Sequence, residues 1–169
     1  MASITQPLRD EHKTLYPQIE TLRLAGDVVN ESLTTLAHEK VEQSYNFLTR
    51  QLLPHTQAED LTLYPMIQKA MGDPKATATM SRDHLEIDRL TQELGTLRVH
   101  KSTLSITFMQ VNALRRILYG LYALVKLHFA KEEEIYLPLL DAKLTAEEAQ
   151  AMFTAMDAAA REAKARLPR

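Results

Sequence analysis

The chain contains no cysteine. Disulfides, thiolate metal sites and thiol nucleophiles are therefore excluded. Tryptophan is also absent, and glycine occurs four times in 169 residues. So little glycine, beside plentiful Ala, Leu, Glu, Lys and Met, marks a helical composition. Neither sign of charge dominates, with 22 acidic against 20 basic side chains. That balance suggests neither a nucleic-acid surface nor a membrane-seeking basic face. The opening "MASITQPLRDEHK" has no apolar signal core, and no run is long and apolar enough to span a bilayer. The expectation is a cytoplasmic chain with no nucleic-acid or membrane partner and with enough residues for a real core.

Apolar periodicity predicts four helices and a tail helix. The first covers about Gln6 to Val29, with Leu8, Leu15, Ile19 and Leu22 on one face and His12 in the same row. The second covers about Ser32 to Met71 and ends at "MGDPK", where Gly and Pro stop a helix. Its seam is Val41, Tyr45, Leu48, Leu52, His55, Glu59, Leu63 and Met66, and Pro54 predicts a kink beside His55. The third covers about Pro74 to Arg98, with Met80, His84, Ile87, Thr91 and Leu94 in its row. The fourth covers about Ser102 to Asp141, with Leu114, Leu118, Leu121, Val125, His128, Glu132, Ile135 and Leu139. Thr145 and Glu148 form a capping box that opens the tail helix. Short connections favour antiparallel neighbours. The expected fold is all-α: an up-down antiparallel four-helix bundle over residues 1–141, with an additional C-terminal helix over 142–169 packed on the bundle or on a partner.

One phrase is written twice. "HTQAEDLTLYP" begins at His55 and "HFAKEEEIYLP" begins at His128, each with a Glu four residues on and a Pro six beyond that. His12 precedes His55 by 43 residues and His84 precedes His128 by 44. Each half therefore reads as a hairpin whose first helix offers one inward His and whose second offers a His and a Glu one turn apart. An unpartnered carboxylate in a core costs many kcal/mol or neutralises. Four imidazoles and two carboxylates at one level of a bundle make a cage for a pair of divalent cations. Imidazole with carboxylate suits iron, manganese or zinc. If both Glu bridge, each ion receives two nitrogens and two oxygens. Which His serves which ion is not set by the spacing.

At these residues the chain resembles the hemerythrin-like, HHE cation-binding family, from "LRDEH" at Leu8 to "HFAKEEEIYLPLL" ending at Leu140. The resemblance implies a four-helix bundle around a non-haem di-iron centre, two iron ions with an oxo or hydroxo bridge, held by His12, His55, Glu59, His84, His128 and Glu132. It also implies a small diatomic or peroxide ligand. The five-His set of the oxygen carriers is not reproduced, because Asp88 stands four residues beyond His84 and Glu132 four beyond His128. The four-His, two-Glu set is closer to di-iron proteins linked to repair of iron centres and to hemerythrin-like proteins linked to nitric oxide or peroxide. The absence of cysteine argues against the repair role.

Around this set, Tyr16 and Asp88 each lie one turn beyond the lone His of their helix and are candidates for a seventh ligand or for support of an imidazole, the alternative being a half-buried Tyr and a solvent-facing Asp. Tyr64 and Tyr136 fall about one turn after the Glu residues, within range of bound peroxide or a radical intermediate, but packing at the bundle end is the favoured reading; Asp60, Glu133 and Glu134 are read as a solvated face, and His38 and His100 as surface residues. Met66, Met71, Met80 and Met109 are read as core filler. The functional expectation is a di-iron protein that binds or reacts with dioxygen, nitric oxide or peroxide. The alternative is a metal- or gas-responsive sensor without turnover, with Met152, Phe153 and Met156 of the tail helix as its output face. A zinc-stabilised structural bundle is a third reading.

Overall fold

Each helix begins and ends for a local reason. A computed structural model describes residues 3–30, 34–98 and 106–167. Helix α1 is Gln6–Val28 with Pro in its first turn, where a missing N–H costs nothing. Helix α2 runs over 35–71; the Thr34 side chain accepts from the Ala37 N–H at its start, and Gly72 at φ 68° closes it. Helix α3 is Ala78–Leu97. Helix α4 runs over 108–143, opened by a capping box of Thr107 and Gln110. Helix α5 is Ala146–Ala165, and its Thr145–Glu148 capping box is present as the sequence predicts. The expected starts of α2 and α4, at Ser32 and Ser102, and the surface reading of His100, lie outside the described residues.

Two apolar clusters fill the bundle, one on either side of the histidines. The first contains Leu15, Ile19, Leu52, Ile87, Val125 and Phe129. The second contains Leu8, Ala58, Leu63, Tyr64, Met80 and Leu137. Helix α1 therefore runs from the second cluster to the first, α2 returns, α3 repeats the direction of α1 and α4 that of α2. This is the up-down order, with α1 against α2 and α4, and α3 against α2 and α4. Burying each Leu or Ile side chain contributes roughly 1.5–3 kcal/mol, so both ends of the bundle are held firmly. Helix α5 lies along Leu53–Ala58 and Glu59–Leu63 of α2, with Met152 and Met156 buried in the second cluster.

Three π-turns interrupt the long helices: Leu48–Leu52, Glu59–Leu63 and Glu132–Tyr136. In each, the next N–H donates to a carbonyl five residues back: Leu53 to Leu48, Tyr64 to Glu59, Leu137 to Glu132. Each is followed by a single residue and then a proline, Pro54, Pro65 or Pro138. Proline lacks an N–H and crowds the carbonyl four residues back, and a widened turn relieves both problems. Pro17 sits inside α1 without such a turn. The extra residue in each turn shifts the inward face by one position. The predicted seam residues Met66, Ile135 and Leu139 therefore give way to Ile67, Tyr136 and Leu140, which are buried, while Ile135 is 57% exposed. A strict 3.6-residue period carried through such a turn fails for this reason. Among the methionines, Met80 is core and Met66 partly buried, but Met71 and Met109 are exposed and are not filler.

Candidate metal centre

The six residues picked out by the repeat come together at one level of the bundle, between the two apolar clusters. His12, Glu59, His128 and Glu132 are wholly buried, and His55 and His84 nearly so. Two groups of possible ligand atoms form: His12, His55 and Glu59, and His84, His128, Glu59 and Glu132. Each carboxylate faces both groups. Glu59 Oε1 lies 3.0 Å from His55 Nε2 and 4.0 Å from His12 Nε2, while its Oε2 lies 3.4 Å from His84 Nε2. Glu132 Oε2 lies 3.5 Å from His12 Nε2, while its Oε1 lies 3.4 Å from His128 Nε2. His84 and His128 present Nε2 atoms to each other at 2.9 Å. In the fold His12 lies beside His55 and His84 beside His128.

These donor atoms fit a pair of cations. The Nε2 atoms of His12 and His55, Nδ1 of His55, both oxygens of Glu59 and Oε2 of Glu132 are buried without a hydrogen-bond partner. Orphaned buried acceptors cost free energy unless something positive joins them. An ion with bonds of about 2.1 Å separates neighbouring ligand atoms by about 3.0 Å at right angles and about 3.4 Å at tetrahedral angles. Most of the cage edges fall on those values.

Without cations the cage balances its charge with protons. Burial pulls the His55 imidazolium down, but the charge of Glu59 and contact with Glu11 outweigh it and hold His55 well above its ordinary range. Burial likewise works against the charge of Glu59, yet His55 and His84 hold its carboxyl well below the usual range. His84 is raised against burial by Asp60 and Glu59. His128 is pushed up to about 9, burial being overcome by Asp83 and Glu132. Divalent cations can replace those protons.

A seventh residue enters the cage that the sequence reading assigned to packing. The Tyr64 hydroxyl donates to Glu132 Oε1 at 3.0 Å and lies 3.1 Å from His84 Nε2 and 3.3 Å from His128 Nε2. Burial and the nearby Glu132 charge raise its pKa, so it is a neutral phenol. It stands five positions after Glu59, and a regular helix would turn it about 140° away. The π-turn Glu59–Leu63 brings it inward. Position 137 in the second copy is Leu, so only one half carries a phenol. On the other side Phe129 stacks on His12, with ring centroids 4.2 Å apart. The two compartments therefore differ chemically.

Tyr136 does pack, donating to the Ala76 carbonyl. Tyr16 sets its ring edge against Phe129 and is partly exposed, and Asp88 accepts from Gln92 on the surface of α3. Neither supports an imidazole. Asp60 and Glu133, read as solvated, each contact a cage histidine: Asp60 Oδ2 is 2.9 Å from His84 Nδ1 and Glu133 Oε1 is 2.8 Å from His12 Nδ1. Glu134 is exposed and His38 half-buried.

Residues 3–140 match the hemerythrin HHE cation-binding domain. The chain belongs to that family. No curated protein and no solved structure matches it. Among the described residues no helix is long and apolar enough to cross a membrane.

Proposed function

We propose that the chain holds two iron ions: His12 and His55 would serve one and His84 and His128 the other, with Glu59 and Glu132 available to both. The observation that carries this reading is the split of each carboxylate, one oxygen toward each histidine pair. Bound iron would supply Lewis acidity and redox capacity toward a small oxidant: dioxygen, nitric oxide or peroxide. The chain supplies the rest. Phe129, Leu52 and Val125 keep the cage dry on one side. Tyr64 holds a proton at its hydroxyl oxygen, within reach of any small molecule that lies beside His84 and His128, and can donate it there. Glu132 Oε1 is its resting acceptor. Elemental analysis and optical titration of one anaerobic sample with peroxide and with nitric oxide test the reading. Two irons per chain and an optical response are expected; a colourless, zinc-filled protein that responds to neither would overturn it.

A sensor without turnover is the second reading, favoured by the contact of α5 with the turns bearing His55 and Glu59. Stoichiometric ligand binding with no product would support it, and sustained peroxide consumption would support an enzyme.

A further inference from the structure

The Nδ1 atom of every cage histidine faces a carboxylate, and the four carboxylates obey one rule. Glu11 Oε1 of α1 lies 3.1 Å from His55 Nδ1 on α2, close enough for an ion pair but not aligned as a hydrogen bond, unlike the other three. Asp60 Oδ2 of α2 lies 2.9 Å from His84 Nδ1 on α3. Asp83 Oδ2 of α3 lies 3.2 Å from His128 Nδ1 on α4. Glu133 Oε1 of α4 lies 2.8 Å from His12 Nδ1 on α1. Each acid sits beside a cage residue of its own helix but reaches the imidazole of the next helix. The series closes on itself around the bundle.

The sequence positions carry the same geometry. On α1 and α3 the acid precedes the cage histidine: Glu11 before His12, Asp83 before His84. On α2 and α4 it follows the cage glutamate: Asp60 after Glu59, Glu133 after Glu132. One residue is about 100° of helical rotation. A step back on a right-handed helix running up the bundle and a step forward on one running down turn in the same sense when viewed from one end. The alternation before, after, before, after is therefore what an antiparallel bundle needs for all four acids to point the same way round. Three of them are held from outside as well: Glu133 by Arg9, Asp83 by Lys131, and Asp60 by the Ser81 hydroxyl.

We propose that Glu11, Asp60, Asp83 and Glu133 are positioning residues forming one closed ring, each accepting the Nδ1 proton of the neighbouring helix's histidine and so turning its Nε2 lone pair toward an ion. The ring divides by compartment. Glu11 and Glu133 serve the His12–His55 side; Asp60 and Asp83 serve the His84–His128 side. Carboxylates behind ligating histidines fix tautomer and orientation, and their loss weakens metal binding about 10- to 100-fold. The inference rests on the two-ion reading above.

The test is a chelator-competition titration of the full chain with cobalt(II), following bound metal and its visible absorption. Wild-type protein must first take two ions per chain; if it does not, the two-ion reading fails and the ring is not at issue. With that control in place, the Glu11→Ala/Glu133→Ala double variant is expected to keep one tight site and lose about 10- to 100-fold at the other. Glu133→Ala/Asp83→Ala, which crosses compartments, is expected to weaken both. Glu133→Gln, which retains an oxygen acceptor, is expected to recover part of the loss in Glu133→Ala and serves if the alanine variants fold poorly. Unchanged binding in the doubles would overturn the ring. So would equal weakening of both sites by the same-compartment double, with a matching fall in the melting temperature of the stripped chain, since that is what a purely structural role would give.

Discussion

Glu59→Gln is the sharpest perturbation of this cage. Glu59 offers one oxygen to the His12–His55 side and the other to His84. Gln keeps the volume but removes the negative charge, so on the proposed two-ion reading both compartments lose an anionic donor together. An ion present at 1,000 times its Kd stabilises the fold by about 4.1 kcal/mol per site, or about 8 kcal/mol for two. A 100-fold loss of affinity at each site removes about 2.7 kcal/mol twice, roughly 5.5 kcal/mol in all. For a chain of 169 residues, each kcal/mol moves the melting temperature by about 2–4 °C. The gap between metal-loaded and chelator-stripped melting temperatures should therefore shrink by roughly 11–22 °C in the variant. Paired calorimetric melts, each with bound metal quantified, read the effect. A gap equal to that of the wild type, or the loss of only one ion with the other held normally, would refute the shared role of Glu59.

Further outcomes follow from the same geometry. Tyr64→Phe should retain both ions yet slow any peroxide consumption by about a hundredfold, the typical worth of a positioned proton donor; unchanged rates in a loaded variant would remove Tyr64 from the chemistry. In the metal-free chain, His55, His84 and His128 have raised pKa values, so they contribute stability in full below about pH 6.5, the unfolded value, and lose it as pH rises through the folded values, about 9 for His128. Metal binding needs neutral imidazoles and strengthens over that same window. The melting gap between loaded and stripped protein should consequently widen from about pH 6.5 to 9, and paired melts showing a flat or narrowing gap would contradict the protonated cage. Gly72→Ala should cost about 1–2 kcal/mol, because φ 68° at that helix end is strained for alanine and free for glycine, with bound metal unchanged in the same melt series.

Much of the cage was legible in the chain. His55, Glu59, His128 and Glu132 announced themselves because a phrase repeated across two helices sets acids into apolar seams, and His12 and His84 followed from matching intervals. Tyr64 was only half legible: its place about one turn after Glu59 put it near the site, yet packing was the favoured reading, because an unbroken 3.6-residue period through residues 59–63 does not aim position 64 at the cage. The same unbroken period through the widened turns placed Met66 and Ile135 inward. The four outer acids look like ordinary surface charge, since each stands next to a residue of its own helix and touches a side chain of another.

The sequence by itself determined which groups are buried and that they need a counter-charge, because burial and helical spacing are local properties written in the order of residues. Only the tertiary structure decided the partnerships: which two imidazoles share a compartment, that Glu59 and Glu132 each face both, and that Tyr64 enters one side alone. Those depend on the directions of four antiparallel helices and on backbone turns widened before proline. Neither is a property of any single segment.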